Sequence, residues 1–469
     1  MRNFITGSDV ELAKSIGKNE LRVNPADVVT GIARERAEKL GIKIIVSKTP
    51  SHSTPTGLGP AKPRSDAPFF PPFLSRRTVA QKVDPKTTQP PYDIDAWRAK
   101  FPILKNTIHV ANCSQAPQSD YTREAARAYL GSWNSMGMDW DRWMEEVVFA
   151  KAEFARLINA DVSEIALGTS VSETTSVTAS AMPFGGKRKK VVTTEAEFPT
   201  VGHVWLAHQK YGAQVQFIPV KNGEIDPSDY DRYVDENTLI TSICDVYYYN
   251  GFKQNLEAII PKIHARGSLV YLDAYQGIGT HPIDVKALDV DFLATGNLKY
   301  LLGIPGVAFL YVKKELIPFL QPAFTGWFGQ ENPFAFDVLH LDYASDARRF
   351  DTGTPPVMAA YIVRAGMQMI NEVGVDNIQY WTDQLSQYCI DQALFRGLEV
   401  ASPLDVAKKA PTTAIRIPGG DSHAVEKALL SKNIVASARS DVIRIATHFF
   451  TRMEDIDYVL ESLAEIIKP

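Results

Sequence analysis

The sequence predicts an α/β protein: a mostly parallel, seven-stranded sheet covered by helices, a smaller α+β domain after it, and a small α/β module before it. Three observations predict this. From about residue 145, short apolar runs alternate with amphipathic helical stretches over about 170 residues. Such alternation implies parallel strands joined by helical crossovers. The last run follows its neighbour through only a short turn, which suits an antiparallel strand. After about residue 355, two long helical patterns precede a mixed α/β tail.

Within residues 1–48, Ser8 or Asp9 can cap a short helix through Ile16, and Gly17 can end it. Residues 21–23 suit a short strand. Asn24-Pro25 suits an N-cap followed by proline at the first helical position. Residues 26–40 place Val28, Val29, Ile32, Ala33, Ala37 and Leu40 at helical spacing. Gly41 stops that helix, and residues 42–46 read as a strand. So small a unit is expected to dock on something. Residues 49–91 hold ten prolines around Phe69-Phe70-Pro71-Pro72-Phe73, a composition that builds a linker and no core.

The strand candidates of the main domain are 164–167, 190–194, 214–219, 239–246, 268–273, 291–295 and 307–312. Helices fit at 171–181, 200–211 and 256–265, and the two long ones at 356–373 and 375–396. The expected division is a module at 1–48, a linker at 49–92, a large domain at 93–355 and a small domain at 356–469. Residues 93–145 are expected to contribute to the small domain or an interface.

Composition narrows the function. The chain has 469 residues, 45% of them apolar and 22% charged, which is ordinary for a soluble globular protein. No apolar run approaches the length of a membrane span. The first fifteen residues carry charge where a signal peptide needs an apolar stretch. Cys113, Cys244 and Cys389 are too few and too scattered for a disulfide framework or a zinc cluster, so the cytoplasm is the expected compartment. The net charge of −4 argues against nucleic acid as the main partner. Charge is uneven: residues 1–90 carry 15 Lys/Arg against 8 Asp/Glu, and the rest is acidic.

In open α/β sheets ligands bind at the carboxyl ends of strands, so chemistry is sought where the apolar runs stop. Residues 268–273 end in Asp273, followed by Ala274-Tyr275-Gln276. Residues 291–295 end before Gly296-Asn297-Leu298-Lys299. A carboxylate and a lysine at nearby strand ends suit pyridoxal phosphate (PLP). That cofactor needs an amine for a Schiff base and an acid to keep its ring nitrogen protonated. Alone, each residue reads as a turn cap or a solvated charge. Gly168-Thr169-Ser170-Val171-Ser172-Glu173 follows a strand and opens a helix, which suits a phosphate. By itself it reads equally as an N-cap. Phe198, in Glu197-Phe198-Pro199-Thr200, can stack on a pyridine face.

Residues 93–469 resemble the class V aminotransferases, the fold-type-I PLP-dependent transferases that include cysteine desulfurases, kynureninases and isopenicillin-N-epimerase-like proteins. The motifs are Leu272-Asp273-Ala274-Tyr275-Gln276, the run from Gly296 through Lys299 to Gly306, Arg349-Phe350-Asp351-Thr352-Gly353-Thr354-Pro355-Pro356, and Val442-Ile443-Arg444-Ile445-Ala446. The resemblance implies that Lys299 is the Schiff-base lysine and also moves the substrate's α-proton. It implies that Asp273 pairs with the pyridine nitrogen, Gln276 bonds the ring hydroxyl and Phe198 stacks on the ring. Ser170, Ser172 and Thr295 become phosphate candidates. Thr354 would reach the phosphate of a partner subunit, which implies a homodimer with shared sites. Arg444 would hold the substrate carboxylate, a task a guanidinium performs bidentately. Asn112, Ser114 and Gln115 lie where the family's N-terminal segment approaches the substrate, and they read equally as turn residues.

The resemblance further implies chemistry on an α-amino acid through an external aldimine, with lyase or hydrolase cleavage at Cβ (C–S or C–C) ahead of transamination or epimerisation. Lys299-Tyr300-Leu301 and Gly326-Trp327-Phe328-Gly329 resemble kynureninase, which cleaves a Cβ–Cγ bond. Trp327 would add an aromatic wall, with interface packing as the alternative. Tyr248 is a candidate second acid, and His203 and His448 are further candidates. A cysteine desulfurase is disfavoured, because the loop before the Arg444 motif carries no cysteine. An inactive scaffold with the same fold is a different reading, and the Lys299–Asp273 pair argues against it.

The first 45 residues resemble, more loosely, the start of microcompartment-associated proteins of the ethanolamine-utilisation EutQ type, through 5–10 and 28–35. That implies targeting to an encapsulating or scaffold protein inside a protein compartment. Bracing of a dimer is the plainer alternative.

Overall fold

The computed structural model describes residues 4–5, 10, 13–14, 18–23, 28–29, 31–46 and 88–467. The prolines of 49–85, the proposed caps at 8–9 and 24–25 and the stop at Gly17 lie outside the described residues. Contacts divide the chain into two units: 1–82 with 139–145, and 83–138 with 146–469.

In the first unit, Glu20–Val23 pairs in parallel with Lys43–Val46. Helix Gly31–Leu40 turns Ala33 and Ala37 inward beside Val10 and Ile42. The helical spacing of 26–40 therefore overreaches. Val28–Val29 forms a strand paired in parallel with Phe4–Ile5. Two adjacent β-branched residues favour the pleated backbone, and the helix starts only beyond them.

The second unit is built on a seven-stranded sheet. Its strands are β1 (Ile165–Gly168), β2 (Lys190–Thr194), β3 (Gln214–Ile218), β4 (Thr238–Cys244), β5 (Leu269–Asp273), β6 (Phe292–Gly296) and β7 (Ala308–Val312). The order across the sheet is β1-β7-β6-β5-β4-β2-β3. β7 runs antiparallel to both β6 and β1, and the other pairings are parallel. The short link into β7 forces that reversal, because a parallel return needs a crossover. The strands read as near-continuous apolar runs since both faces are covered; β4, β6 and β7 are buried at every residue. Helix α1 (Val171–Ser180) follows β1, and α2 (Pro199–Ala207) follows β2 and continues as a tighter turn at His208–Tyr211.

After helix Val357–Val373, a second core forms around helix Val375–Phe395, helix Met453–Ile467 and the antiparallel sheet Thr412–Arg416, Val442–Ala446, Ser437–Arg439. The N-terminal segment joins this part. Ile108–His109 pairs in parallel with Ile434–Val435, and the Ala446 N–H donates to the Val110 carbonyl at 2.7 Å. Arg98 grips Asp455 with two hydrogen bonds, of 2.7 and 3.0 Å. Residues 108–114 are thereby carried alongside the strand that holds Arg444.

Candidate active site

Asp273 closes β5, opposite Cys244 of β4 and Ala294 of β6. Its Oδ1 accepts the Tyr275 N–H at 2.9 Å. Burial pushes the carboxyl above its ordinary range, against the pull of that N–H and of Lys299. Lys299 lies three residues beyond β6. Burial pushes its amine down to about 8, with Asp273 opposing. Its Nζ sits 4.1 Å from the Tyr275 ring centroid and 5.7 Å from that of Phe198. A Cβ on Gly296 would collide with the Tyr275 ring, so glycine there lets the tyrosine lie beneath the lysine. The chain then winds tightly: Gly303 N–H donates to the Asn297 carbonyl at 2.7 Å, and Leu302 holds φ +58°. A leucine in that region is strained by about 1–2 kcal/mol, which the turn enforces.

These groups face a cavity of about 400 Å³, within the range that takes a small cofactor with its substrate. Thr169, Ser170 and Ser172 line one end. Ser170 caps α1, its Oγ accepting the Glu173 N–H at 3.2 Å, and the Ser172 hydroxyl donates to Thr200 at 3.3 Å. The first-turn N–H groups of α1 have no intrahelical acceptor, so an anion fits there. Glu173 braces this turn: it accepts the Thr169 N–H at 2.6 Å, the Thr169 hydroxyl, and the Thr352 hydroxyl at 2.7 Å. Burial pushes its carboxyl up, but those donors outweigh burial and hold it below the ordinary range. Asp351, in the same motif as Thr352, anchors β1 by accepting the Leu167 N–H at 2.7 Å and pairing with buried Lys151 at 2.8 Å.

At the other end stand Arg444 and Arg439, on the hairpin Ser437–Arg439/Val442–Ala446. Arg444 is 1% exposed. It donates to the Tyr248 carbonyl at 2.8 Å, to Ser114 Oγ at 2.9 Å and to Ser437 Oγ at 2.6 Å, while its buried Nε has no partner among the described residues. Tyr248 packs edge-on to Phe198 at 5.3 Å. Gln276 lines the cavity and donates to the Cys113 carbonyl at 3.1 Å.

The structure thus brings Lys299, Asp273, Gln276, Phe198, Ser170, Ser172, Tyr248, Ser114 and Arg444 around one cavity. It does not bring the other sequence candidates there. Thr295 is fully buried in β6 with its hydroxyl on the Gly296 carbonyl. Asn112 is buried and donates to the Ala446 carbonyl at 2.7 Å. Gln115 is exposed and bonds the Ala116 and Gly303 carbonyls. Trp327 packs on Phe328, Phe334 and Phe336 and is not among the residues lining this cavity; Thr354, expected to reach the site of a partner subunit, is exposed in the single chain, which does not test that expectation. His203 is exposed on α2. His448 is buried, pushed down to about 4, and bonded to the Tyr300 carbonyl, so it belongs to the core. Sequence reasoning missed Tyr275 as the floor under Lys299, and it missed Arg439. Cys113 and Cys244, read from the sequence only as scattered cysteines, line the cavity as well.

The model of the aminotransferase class-V family matches residues 111–458. This chain belongs to that family. A Bacillus subtilis protein named uncharacterized aminotransferase YcbU is 37% identical over 372 residues, covering 79% of this chain and 97% of that one. The kynureninase of Geobacillus thermodenitrificans is 24% identical, covering 79% and 91%. A cysteine desulfurase structure from Thermococcus onnurineus NA1 superposes with a TM-score of 0.73 at 21% identity, covering 81% and 99%, and shares the fold. The chain is accordingly a class-V enzyme of the fold-type-I kind, and membership indicates PLP as cofactor. The residues fit it: a buried amine and a buried carboxyl that act on one another, a helix N-terminus for a phosphate, and an arginine whose Nε has no partner among the described residues for a carboxylate. The matched stretch starts at 111, so it does not bear on the EutQ-type likeness of the first residues. Among the described residues no helix is long and apolar enough to cross a membrane, and no His/Cys/Asp/Glu group suits a metal.

Proposed function

We propose that this class-V enzyme acts on an α-amino acid and cleaves a bond at Cβ, as a lyase or hydrolase, working as a homodimer. The carrying observation is the Lys299 amine, held near 8 between Asp273 and the Tyr275 ring and facing a cavity closed by Arg444. PLP supplies the electron sink for that chemistry. Asp273 would hold the ring nitrogen's proton, Gln276 the ring hydroxyl, and Thr169, Ser170 and Ser172 the phosphate. Phe198 would cover one ring face. Arg444 would orient the substrate carboxylate. A lysine near 8 is a free base in a useful fraction at neutral pH, so Lys299 Nζ can take the α-proton and return it. Tyr248, which lines the cavity, would serve as a proton donor for the departing group. Relatives named kynureninase and probable cysteine desulfurase support cleavage at Cβ, and the relative named an uncharacterized aminotransferase keeps transamination as the alternative.

A persulfide-forming desulfurase is disfavoured on geometry. The hairpin before Arg444 turns through only Ser440 and Asp441, which leaves no loop for a nucleophilic cysteine. Cys389 is buried in the second core and pushed up to about 11. Cys244 and Cys113 border the cavity, but Cys244 is fixed in β4 with its thiol pushed up by burial, Cys113 is buried against Tyr300 and Ala446, and neither stands on the hairpin before Arg444. The test is to give the PLP-loaded full chain a panel of amino acids, with and without a keto acid, and identify products. Cleavage products formed without a keto acid support the reading. Turnover that depends on the keto acid and yields a new amino acid would assign transamination instead.

A further inference from the structure

Three cations and one carboxylate line the cavity: Lys299, Arg439, Arg444 and Asp273. Asp273 faces Lys299 at the strand ends. Among the described residues no carboxylate pairs with either arginine. Arg444 spends three donors on neutral acceptors. Arg439 makes no ion pair and no side-chain hydrogen bond among the described residues, and its buried Nε has no partner. Its guanidinium lies over the Tyr248 ring, with Cζ 5.9 Å from the centroid. Asp441 in the hairpin turn and Glu426 on the helix Ser422–Ser431 are committed elsewhere. Asp441 pairs with Arg416 and accepts the Tyr249 hydroxyl at 2.7 Å, and Glu426 accepts the Ala438 N–H at 2.9 Å. An arginine partly out of water with empty donors is costly unless a ligand fills them.

Charge counting then says more than the proposed reading, on which this inference rests. One amino-acid carboxylate answers Arg444. A second cation remains, on the substrate side beside Tyr248 and Phe198. We propose that Arg439 is a specificity residue, and that the substrate is an amino acid whose side chain carries a second carboxylate. Arg439 sits one strand from Arg444, with Ala438 opposite Ile443 in the register, so the two guanidiniums come from adjacent strands of one rigid hairpin. A planar fork on such a scaffold suits a carboxylate better than a mobile lysine does.

The test uses unreactive probes on the PLP-loaded full chain, with dissociation constants from calorimetry. Succinate and glutarate carry two carboxylates; propionate and butyrate carry one. Wild type should prefer the diacids. Arg439→Gln should weaken the diacids by about 10-fold or more, the scale of one charge-assisted hydrogen bond, while the monoacids change little. Arg439→Lys should restore part of the diacid preference. An unchanged cofactor absorbance and melting temperature in both variants show that the site is intact. No diacid preference in wild type, an equal loss for both probe classes, or no loss in Arg439→Gln would overturn the assignment. Those results leave the proposed function standing. That reading fails separately, if the wild-type chain shows no cofactor band or no spectral response to any amino acid.

Discussion

At the strand-end half of the cavity every charged group has a counterpart. Lys299 meets Asp273, and Glu173 gathers donors from Thr169 and Thr352. At the hairpin half, Arg444 donates only to neutral oxygens, and Arg439 makes no ion pair among the described residues. The first half is preorganised by its own residues, with amine and carboxyl each moved away from ordinary values by burial. The second half is electrostatically incomplete until an anion enters. On the proposed reading the difference separates what would hold a cofactor from what would select a substrate, and it comes from two parts of the chain: the sheet, and the hairpin Ser437–Arg439/Val442–Ala446.

The largest expected effect falls on the first half. Lys299→Ala should lower turnover by about 10²–10⁴-fold or more and remove the lysine-dependent absorbance of the PLP-loaded protein. Arg444→Gln should keep that absorbance and raise KM for amino acids instead. Loss of the band in both variants, seen in side-by-side spectra, would erase the distinction between the halves.

Next comes the stability of the cofactor-free chain. With a folded pKa of about 8 and an ordinary value of 10.5, Lys299 binds its proton more weakly when folded. The unfolded chain therefore carries more protons between pH 8 and 10.5, and stability rises with pH across that window. Lys299→Met should flatten the rise and stabilise the chain by about 2–3 kcal/mol near pH 7, read from denaturant midpoints. A smaller effect is expected at the carboxyl. Asp273→Asn should weaken PLP binding by about 10–100-fold, the scale of one charged hydrogen bond, measured by titrating apo-protein. An equal loss from Ser114→Ala, on the hairpin side, would contradict the division.

Much of the strand-end half was legible in sequence, because it is written in contiguous stretches. Residues 190–194 and 256–265 occupy the bounds that periodicity predicts, and Asp273 and Lys299 stand just where apolar runs stop. Thr295 fails for a reason the two-residue period contains: Phe292 and Ala294 pack in the core under α1, and Thr295 takes the other face. Asn112 fails because pairing of its neighbours with 434–435 and 446 turns its amide into the backbone. Arg439 belongs to a three-residue strand without a motif, and only its pairing with Val442 carries it to the cavity. Short strands are positioned by partners distant in sequence, so a single sequence does not announce them.

The central claim is that Lys299 is the lysine that takes the cofactor. Adding PLP to the full chain, reducing with borohydride and mapping the peptides tests it most directly. The account predicts one phosphopyridoxyl group, on the peptide containing Lys299. Label on another lysine, or none despite a folded protein, would contradict it.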